Sequence, residues 1–449
     1  MSSVAFYTLG CKVNFYDTEA IWQLFKNEGY EQVDFEGPAD VYLINTCTVT
    51  NTGDKKSRQM IRRAVRRNPE AIVAVTGCYA QTSPGEILDI PGVDLVIGNQ
   101  DRDQIMMHIH NIQESRQPVN AVRNIMKTRE FEEMDVPGFA DRTRAFLKIQ
   151  DGCNNFCTFC IIPWSRGLSR SRDPKSIVAQ AHQLVAAGYK EFVLTGIHTG
   201  GYGDDLENYR LSDLLWELDK VDGLERVRIS SIEASQIDEK LLEVLNQSSK
   251  MCRHLHIPLQ AGHNDVLKAM RRKYTTEEYF AKIQLIRQAM PDVGITTDVI
   301  VGFPGETDEM FRAGYEFMKA VNFSEMHVFP YSKRTGTPAA RMDNQVDEEI
   351  KNARVQELID LSEDMQLSYA NHFVGKTITV IPERSAKDAP SRAIQHGFSD
   401  NYLQVLFEGD DQLQGELCQI MITEAGVNEC RGELVEVQKS SLHQEQSVS

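Results

Sequence analysis

Three cysteines stand within eight residues in the run Cys153-Asn-Asn-Phe-Cys157-Thr-Phe-Cys160. Thiolates this close together can wrap one metal centre, and soft sulfur ligands select iron–sulfur clusters, zinc or Cu(I). A structural zinc site is closed and needs a fourth ligand. No fourth cysteine lies close in sequence. A 4Fe-4S cluster held by three cysteines leaves one iron open to a substrate or cofactor. Spacing alone leaves both metals standing. Three free structural thiols would be unusual, because free cysteines generally pack singly as small hydrophobes. An apolar strand at 145–150 precedes the run, and this strand-to-loop position favours chemistry at the top of a barrel.

A second set is dispersed. Cys11, Cys47 and Cys78 each follow an apolar segment, at 4–9, 41–44 and 71–75. Ligands of an open parallel sheet bind beyond the carboxyl ends of its strands. Three cysteines at three such ends are expected to be spatial neighbours able to hold a second cluster. Gly10, Asn45, Thr46, Thr48 and Gly77 beside them permit close approach and hydrogen bonds to sulfur. One buried core cysteine is ordinary; the same placement three times is not. Cys252, Cys418 and Cys430 show no such arrangement and read as structural.

The elements that position these groups read as α/β. Strands at 4–9, 41–44, 71–75 and 93–97 alternate with helices at 17–28 and 53–67, which argues for a parallel sheet. Residues 116–144 are polar, with an acidic run at 130–135, and read as a linker with some helix. A longer series follows, with strands at 145–150, 191–195, 226–230, 254–258, 295–301 and 325–329. Six strand–helix units imply a partial barrel, a doubly wound sheet being the plainer alternative. After 371, short strands at 376–381, 402–407, 417–422 and 433–437 suggest a small all-β barrel. The expected units are 1–115, the linker 116–144, 145–370, 371–438 and a disordered tail 439–449.

Composition narrows the class. A chain of 449 residues suits two or three domains. No apolar run approaches the roughly 20 residues of a membrane helix. The start, MSSVAFYTLGCK, lacks a signal peptide's pattern, so a cytoplasmic, reducing setting is expected. Nine cysteines there point away from a disulfide framework. Lys plus Arg is 48 against 65 for Asp plus Glu, a formal charge of −17. That total argues against nucleic acid as a partner.

The Cys153–Cys160 motif after a first barrel strand resembles the signature of the radical S-adenosylmethionine (SAM) enzymes. The resemblance implies that the open iron binds the methionine part of SAM, and that the reduced cluster cleaves SAM to a 5′-deoxyadenosyl radical. With three dispersed cysteines ahead of it and a β domain resembling TRAM behind, nearly the whole chain is similar to the methylthiotransferases. There the second cluster is understood to carry the inserted sulfur. The stretches TLGCKVNFYDTEA, NTCTVTNTGDKKSRQ and IIPWSRGLSRSR look like the MtaB branch, acting on N6-threonylcarbamoyladenosine at tRNA position 37. The MiaB branch, acting on isopentenyladenosine, tends to have Gly-Cys-Gln-Met-Asn where this chain has Gly10-Cys11-Lys12-Val13-Asn14. The RimO branch, acting on a ribosomal-protein aspartate, tends to have Gly-Cys-Pro-Lys-Asn. A rival of another class is a non-catalytic metal- and RNA-binding protein.

The resemblance implies two 4Fe-4S clusters, on Cys11/Cys47/Cys78 and Cys153/Cys157/Cys160, with SAM as cofactor. Candidate SAM contacts are Phe159, Gly196, Glu233, Gln260 and Gly302. Expected partners are a tRNA and an electron donor such as a flavodoxin or ferredoxin, with no membrane and no DNA. Seven basic residues and no acidic one stand between Lys55 and Arg67. Lys55, Arg58, Arg62 and Arg66 share one helical face, and with Arg63, Arg170 and Arg172 they are candidate RNA contacts. Arg166 and the run Arg271-Arg272-Lys273 extend the basic groups. Residues 371–449 hold six basic and twelve acidic residues, a poor phosphate surface. Contact there would need a local patch (Lys376, Arg384, Lys387, Arg392) or stacking on Phe398 and Tyr402. The acidic total then predicts contact limited to a basic mouth around the active site.

Overall fold

The computed structural model describes residues 2–139, 142–383 and 394–438. The expected tail, and the patch residues Arg384, Lys387 and Arg392, lie outside the described residues.

The N-terminal sheet is parallel throughout and has six strands. They are β1 (Ser3–Thr8), β2 (Glu31–Val33), β3 (Val41–Thr46), β4 (Ile72–Gly77), β5 (Leu95–Val96) and β6 (Val119–Asn120), in the order 2-1-3-4-5-6. Every residue of β3 and β4 is buried, as expected of strands covered on both faces. β2 and β6 have no apolar pattern to betray them, being short edge strands with exposed polar residues. Two helices flank the cysteine ends, α1 (Lys12–Asn27) and α2 (Asn51–Arg67). Thr50 caps α2, its hydroxyl accepting from the Gly53 amide at 3.1 Å. This cap starts the helix two residues before the expected position.

The central unit is an open barrel. Strand β7 (Ala145–Lys148) runs into β8 (Gln150–Asp151), which pairs antiparallel with β9 (Arg170–Ser171). Then come β10 (Glu191–Thr195), β11 (Arg226–Ile229), β12 (His254–His256), β13 (Gly294–Val301) and β14 (Glu325–Pro330). Parallel ladders join β7–β10–β11 and β12–β13–β14, and bridges at Val227–Met251 and Ser231–His256 join the two groups. Six parallel strands therefore stand in a row. Among the described residues β7 and β14 do not pair, so the barrel is open.

A 24-residue helix, Glu348–Asn371, leads to the C-terminal unit. Its strands β15 (Thr377–Pro382), β16 (Ile394–Ser399), β17 (Gln404–Glu408), β18 (Leu417–Glu424) and β19 (Cys430–Gln438) close into a barrel in the order 15-16-17-19-18. The strand missing from the sequence reading is β16. Arginines of β11 fasten this barrel to the core: Arg226 donates to the carbonyls of Phe398 and Thr379 at 3.2 and 2.6 Å, and Arg228 to those of Asp400 and Ser399 at 3.0 and 2.9 Å. Among the described residues no helix is long and apolar enough to cross a membrane.

Candidate iron–sulfur centres and the cavity between them

Because β1, β3 and β4 are adjacent, the residues after them are neighbours. Cys11 caps α1, Cys47 follows β3, and Cys78 opens the turn after β4. Gly10, at φ +103°, lies against Cys47: a Cβ there would sit 3.0 Å from the Cys47 Cβ and 3.2 Å from its Sγ. Gly77, at φ +95°, is tighter, since a Cβ would meet Asn45 Oδ1 and the Thr46 carbonyl at 2.4 Å. Asn14 ties the strand ends, donating to the carbonyls of Leu9 and Thr46 at 2.6 and 3.1 Å. Burial first, then the charges of Cys78 and Cys11, push the Cys47 thiol up to about 11. Cys78 Sγ accepts from Arg166 Nε at 3.3 Å and Asn99 Nδ2 at 3.7 Å. Three converging thiols with N–H donors and a guanidinium beside them are the donor set that suits an anionic iron–sulfur centre.

The second triad sits in the loop after β8. Gly152, at φ +76°, lets this loop pass against the Leu168 carbonyl, where a Cβ would come within 2.0 Å. The Cys153 amide donates to the Gly167 carbonyl at 3.0 Å, and the Cys160 amide to that of Cys157 at 3.0 Å. Burial first, then neighbouring thiolates and Glu233, push Cys153 up to about 11; burial and the charges of Cys157 and Cys153 push Cys160 to about 12. Buried Arg272 donates to Cys157 Sγ at 3.4 Å and pairs with Glu233 at 3.0 Å. Asn155, inside the motif, donates to the same Glu233 oxygen at 3.0 Å. Here too the donors match an anionic cluster.

Arg166 joins the two halves. It contacts Asp17 at 2.7 Å and Asp151 at 3.1 Å and bonds Asn14. Lys148 pairs with both carboxylates at 2.8 Å, and Arg102 with Asp17 at 2.5 Å. Burial works to raise the Asp17 carboxyl, but Arg102, Lys148 and Arg166 outweigh it and hold it well below the usual range. The sequence reading missed this network, and missed Arg272 and Asn155 as neighbours of the second triad. Only Asn155 carried a signal, its place between two of the cysteines.

A cavity of about 540 Å³ connects Cys11 to the strand ends of the open barrel, a size within the range of small-molecule sites. Gly196 and Ser231 line it at the ends of β10 and β11, and His256 and Asp298 line its far side. Gly196 rests on Gln150, whose Nε2 donates to the Gly152 carbonyl at 2.7 Å, next to Cys153. Lys12 also lines the cavity; burial first, then Arg144 and Arg228, lower its ammonium to about 8. Tyr402 of the C-terminal unit closes one side.

The other candidate cofactor residues divide. Glu233 reaches the second triad through Arg272 and Asn155. Phe159 packs half-buried against the barrel core. Gln260 holds φ +68° and its amide donates to the Asp298 carbonyl at 2.9 Å, while the Gly302 amide, at φ +70°, donates to Glu306 at 2.7 Å. Glu233, Phe159, Gln260 and Gly302 do not line the cavity.

Several basic residues turn inward, contrary to expectation. Arg170 and Arg172 are 3% and 5% exposed, so they present no surface to phosphate. Arg170 donates to the carbonyls of Arg166 and Leu168 at 3.0 and 2.8 Å, and Arg172 pairs with Glu133 at 2.8 Å. Arg166 and Arg272 are buried likewise. On α2, Arg58 is half-buried on Tyr79 and Arg63 pairs with Glu36, whereas Lys55, Lys56, Arg62 and Arg66 are exposed and unpaired among the described residues. Phe398 and Tyr402 are not free platforms: they stack at 4.8 Å, and Tyr402 stacks on His254 at 4.4 Å.

An open six-strand barrel with this cysteine loop defines the radical SAM class. The radical SAM superfamily matches residues 147–318, and the family described as "Uncharacterized protein family UPF0004" matches 3–98. A Bacillus subtilis protein named threonylcarbamoyladenosine tRNA methylthiotransferase MtaB is 57% identical over the whole of both chains. Its Aquifex aeolicus namesake is 41% identical over 93% of this chain and 100% of that one. A Desulforamulus reducens protein named tRNA-2-methylthio-N(6)-dimethylallyladenosine synthase is 36% identical over 95% and 94%. Among solved structures, the radical SAM methyltransferase TsrM from Kitasatospora setae aligns over 76% of this chain and 74% of that one, at TM-score 0.55 and 16% identity, which speaks to the fold alone. The chain belongs to the radical SAM methylthiotransferase family. It is a transferase whose cofactors are two 4Fe-4S clusters and SAM.

Proposed function

We propose that this chain replaces the hydrogen on C2 of N6-threonylcarbamoyladenosine, at tRNA position 37, with a methylthio group, SAM serving both as radical source and as methyl donor. The observation that carries the reading is the single cavity running from Cys11 to the barrel's strand ends beside Cys153. A base held there would meet the first triad at Cys11, and Gly196 and Gln150 connect the cavity to the loop that carries the second. Cys153, Cys157 and Cys160 would hold the SAM-binding cluster, and Cys11, Cys47 and Cys78 the second. When bound, these groups supply a carbon-centred radical, the sulfur and the methyl group.

The chain's own residues do the rest. Arg272 and Arg166 donate to the sulfurs of Cys157 and Cys78 and would offset the charge of clusters held there. Asn155 and Glu233 fix the Cys153–Cys160 loop against the barrel. Of the candidate SAM contacts Gly196 lines the cavity, and Glu233 reaches the Cys153–Cys160 loop through Asn155 and Arg272. The exposed face of Lys55, Lys56, Arg62 and Arg66 offers its charge to tRNA phosphates. The unit expected over 1–115, which its sheet extends to β6 at Val119–Asn120, is assigned to sulfur insertion, 145–370 to radical generation and 371–438 to a TRAM-like role. A flavodoxin or ferredoxin is the proposed electron donor, and the cytoplasm the setting. The test is mass spectrometry of tRNA nucleosides from a strain lacking the gene. Loss of 2-methylthio-N6-threonylcarbamoyladenosine is expected; its retention would overturn the assignment.

A further inference from the structure

One lysine lines the cavity. Lys12 follows Cys11 directly and lines the same cavity. Among the described residues its ammonium makes no hydrogen bond or ion pair, and two other cations, Arg144 and Arg228, line the cavity with it. Those arginines are committed. Arg144 pairs with Glu383 at 2.5 Å and lies 3.8 Å from Glu191; Arg228 pairs with Glu191 at 2.9 Å and binds two main-chain carbonyls. Glu191 is also 3.6 Å from Arg226, so its charge is shared among three guanidinia. The carboxylate that lines the cavity, Asp298, lies 3.3 Å from His256. An ammonium on the cavity wall that bonds to nothing else among the described residues is free to meet an anionic group of a ligand held there.

We infer that Lys12 binds the carboxylate of the substrate's N6 substituent, and so confines the cavity to adenines whose N6 group is anionic. The inference rests on the proposed substrate. Threonylcarbamoyl ends in a carboxylate; dimethylallyl carries no charge. On the adenine ring C2 and C6 flank N1, so the N6 substituent and the carbon to be modified share one edge. A residue that holds the substituent must stand beside the group that delivers sulfur to C2, and Lys12 is the next residue after Cys11. A neutral substituent offers the ammonium no ion pair, so the anionic one is preferred.

The test uses the reconstituted full chain and two anticodon stem-loop RNAs. One carries N6-threonylcarbamoyladenosine; the other is identical but has its carboxylate converted to a primary amide. With the unaltered chain, kcat/KM for the acid should exceed that for the amide by about tenfold to a hundredfold, the worth of a hydrogen bond to a charged group. Equal rates overturn the inference without any variant. Lys12→Met should lose that preference while keeping its iron content, and Lys12→Arg should keep most of it. A Lys12→Met chain that still prefers the acid contradicts the role of Lys12. If the unaltered chain modifies neither RNA, the proposed substrate itself fails, a result distinct from equal use of both.

Discussion

Asp17→Asn isolates the contact that locks the two cysteine-bearing units together. Asp17 is fully buried and meets Arg102 at 2.5 Å, Arg166 at 2.7 Å and Lys148 at 2.8 Å. Breaking a buried pair by removing one partner costs about 3–5 kcal/mol, because a charge is left uncompensated. Each cation here keeps another carboxylate, Glu132 for Arg102 and Asp151 for Lys148 and Arg166. The lower end, about 3 kcal/mol, is therefore expected. Since about 1.4 kcal/mol is a factor of ten, amide hydrogen exchange across α1 should accelerate by about two decades. Mass spectrometry of α1 peptides reads this directly. Adding Lys148→Met removes one of the stranded cations, so the double variant should be less destabilised than the sum of the singles by at least about 1 kcal/mol. Acceleration of less than about fivefold, or strict additivity, would refute the reasoning.

Three further outcomes follow from the geometry. Gly77→Ala forces a Cβ to 2.4 Å from Asn45 Oδ1 and the Thr46 carbonyl at φ +95°; it should displace Cys78 and lower the reconstituted iron content by about half, read by iron and sulfide analysis. Neutralising Lys55, Arg62 and Arg66 to Gln should weaken tRNA binding and reduce its salt slope by about one unit per lost phosphate contact, with thermal unfolding unchanged, whereas Arg172→Gln should lower the unfolding temperature. Burial, then Arg228 and His256, hold the His254 imidazole well below its ordinary value. It stays neutral in the folded protein and takes up a proton on unfolding below pH about 6.5, so its stabilisation is complete above that pH and declines by about 1.4 kcal/mol per unit as pH falls. His254→Phe, which keeps a ring against Tyr402, should flatten that part of the pH profile of urea unfolding.

The two cysteine sets were legible because parallel topology alone places residues after adjacent strands side by side. Cys11, Cys47 and Cys78 needed no contact information beyond the strand–helix alternation. The arginines were less legible. Nothing in the local sequence tells Arg172, paired with Glu133, from Arg66, which faces solvent, because the deciding carboxylates lie 39 residues away for Arg172 and 149 for Arg166. Edge strands β2 and β6 were invisible for want of apolar alternation. Phe398 and Tyr402 looked like base platforms, but the barrel they belong to folds them onto His254. The net charge of −17 hides that several arginines neutralise buried carboxylates, while Lys55, Lys56, Arg62 and Arg66 of α2 stay exposed.

The account turns on a base whose C2 lies between the two triads. Its most direct test is hydrogen transfer from that carbon. The reconstituted chain would be given a reductant, SAM and an anticodon stem-loop carrying N6-threonylcarbamoyladenosine deuterated at C2, and the 5′-deoxyadenosine produced would be analysed by mass spectrometry. Deuterium in 5′-deoxyadenosine, formed together with the 2-methylthio nucleoside, is the predicted result. A 2-methylthio product accompanied by 5′-deoxyadenosine free of deuterium would contradict the account.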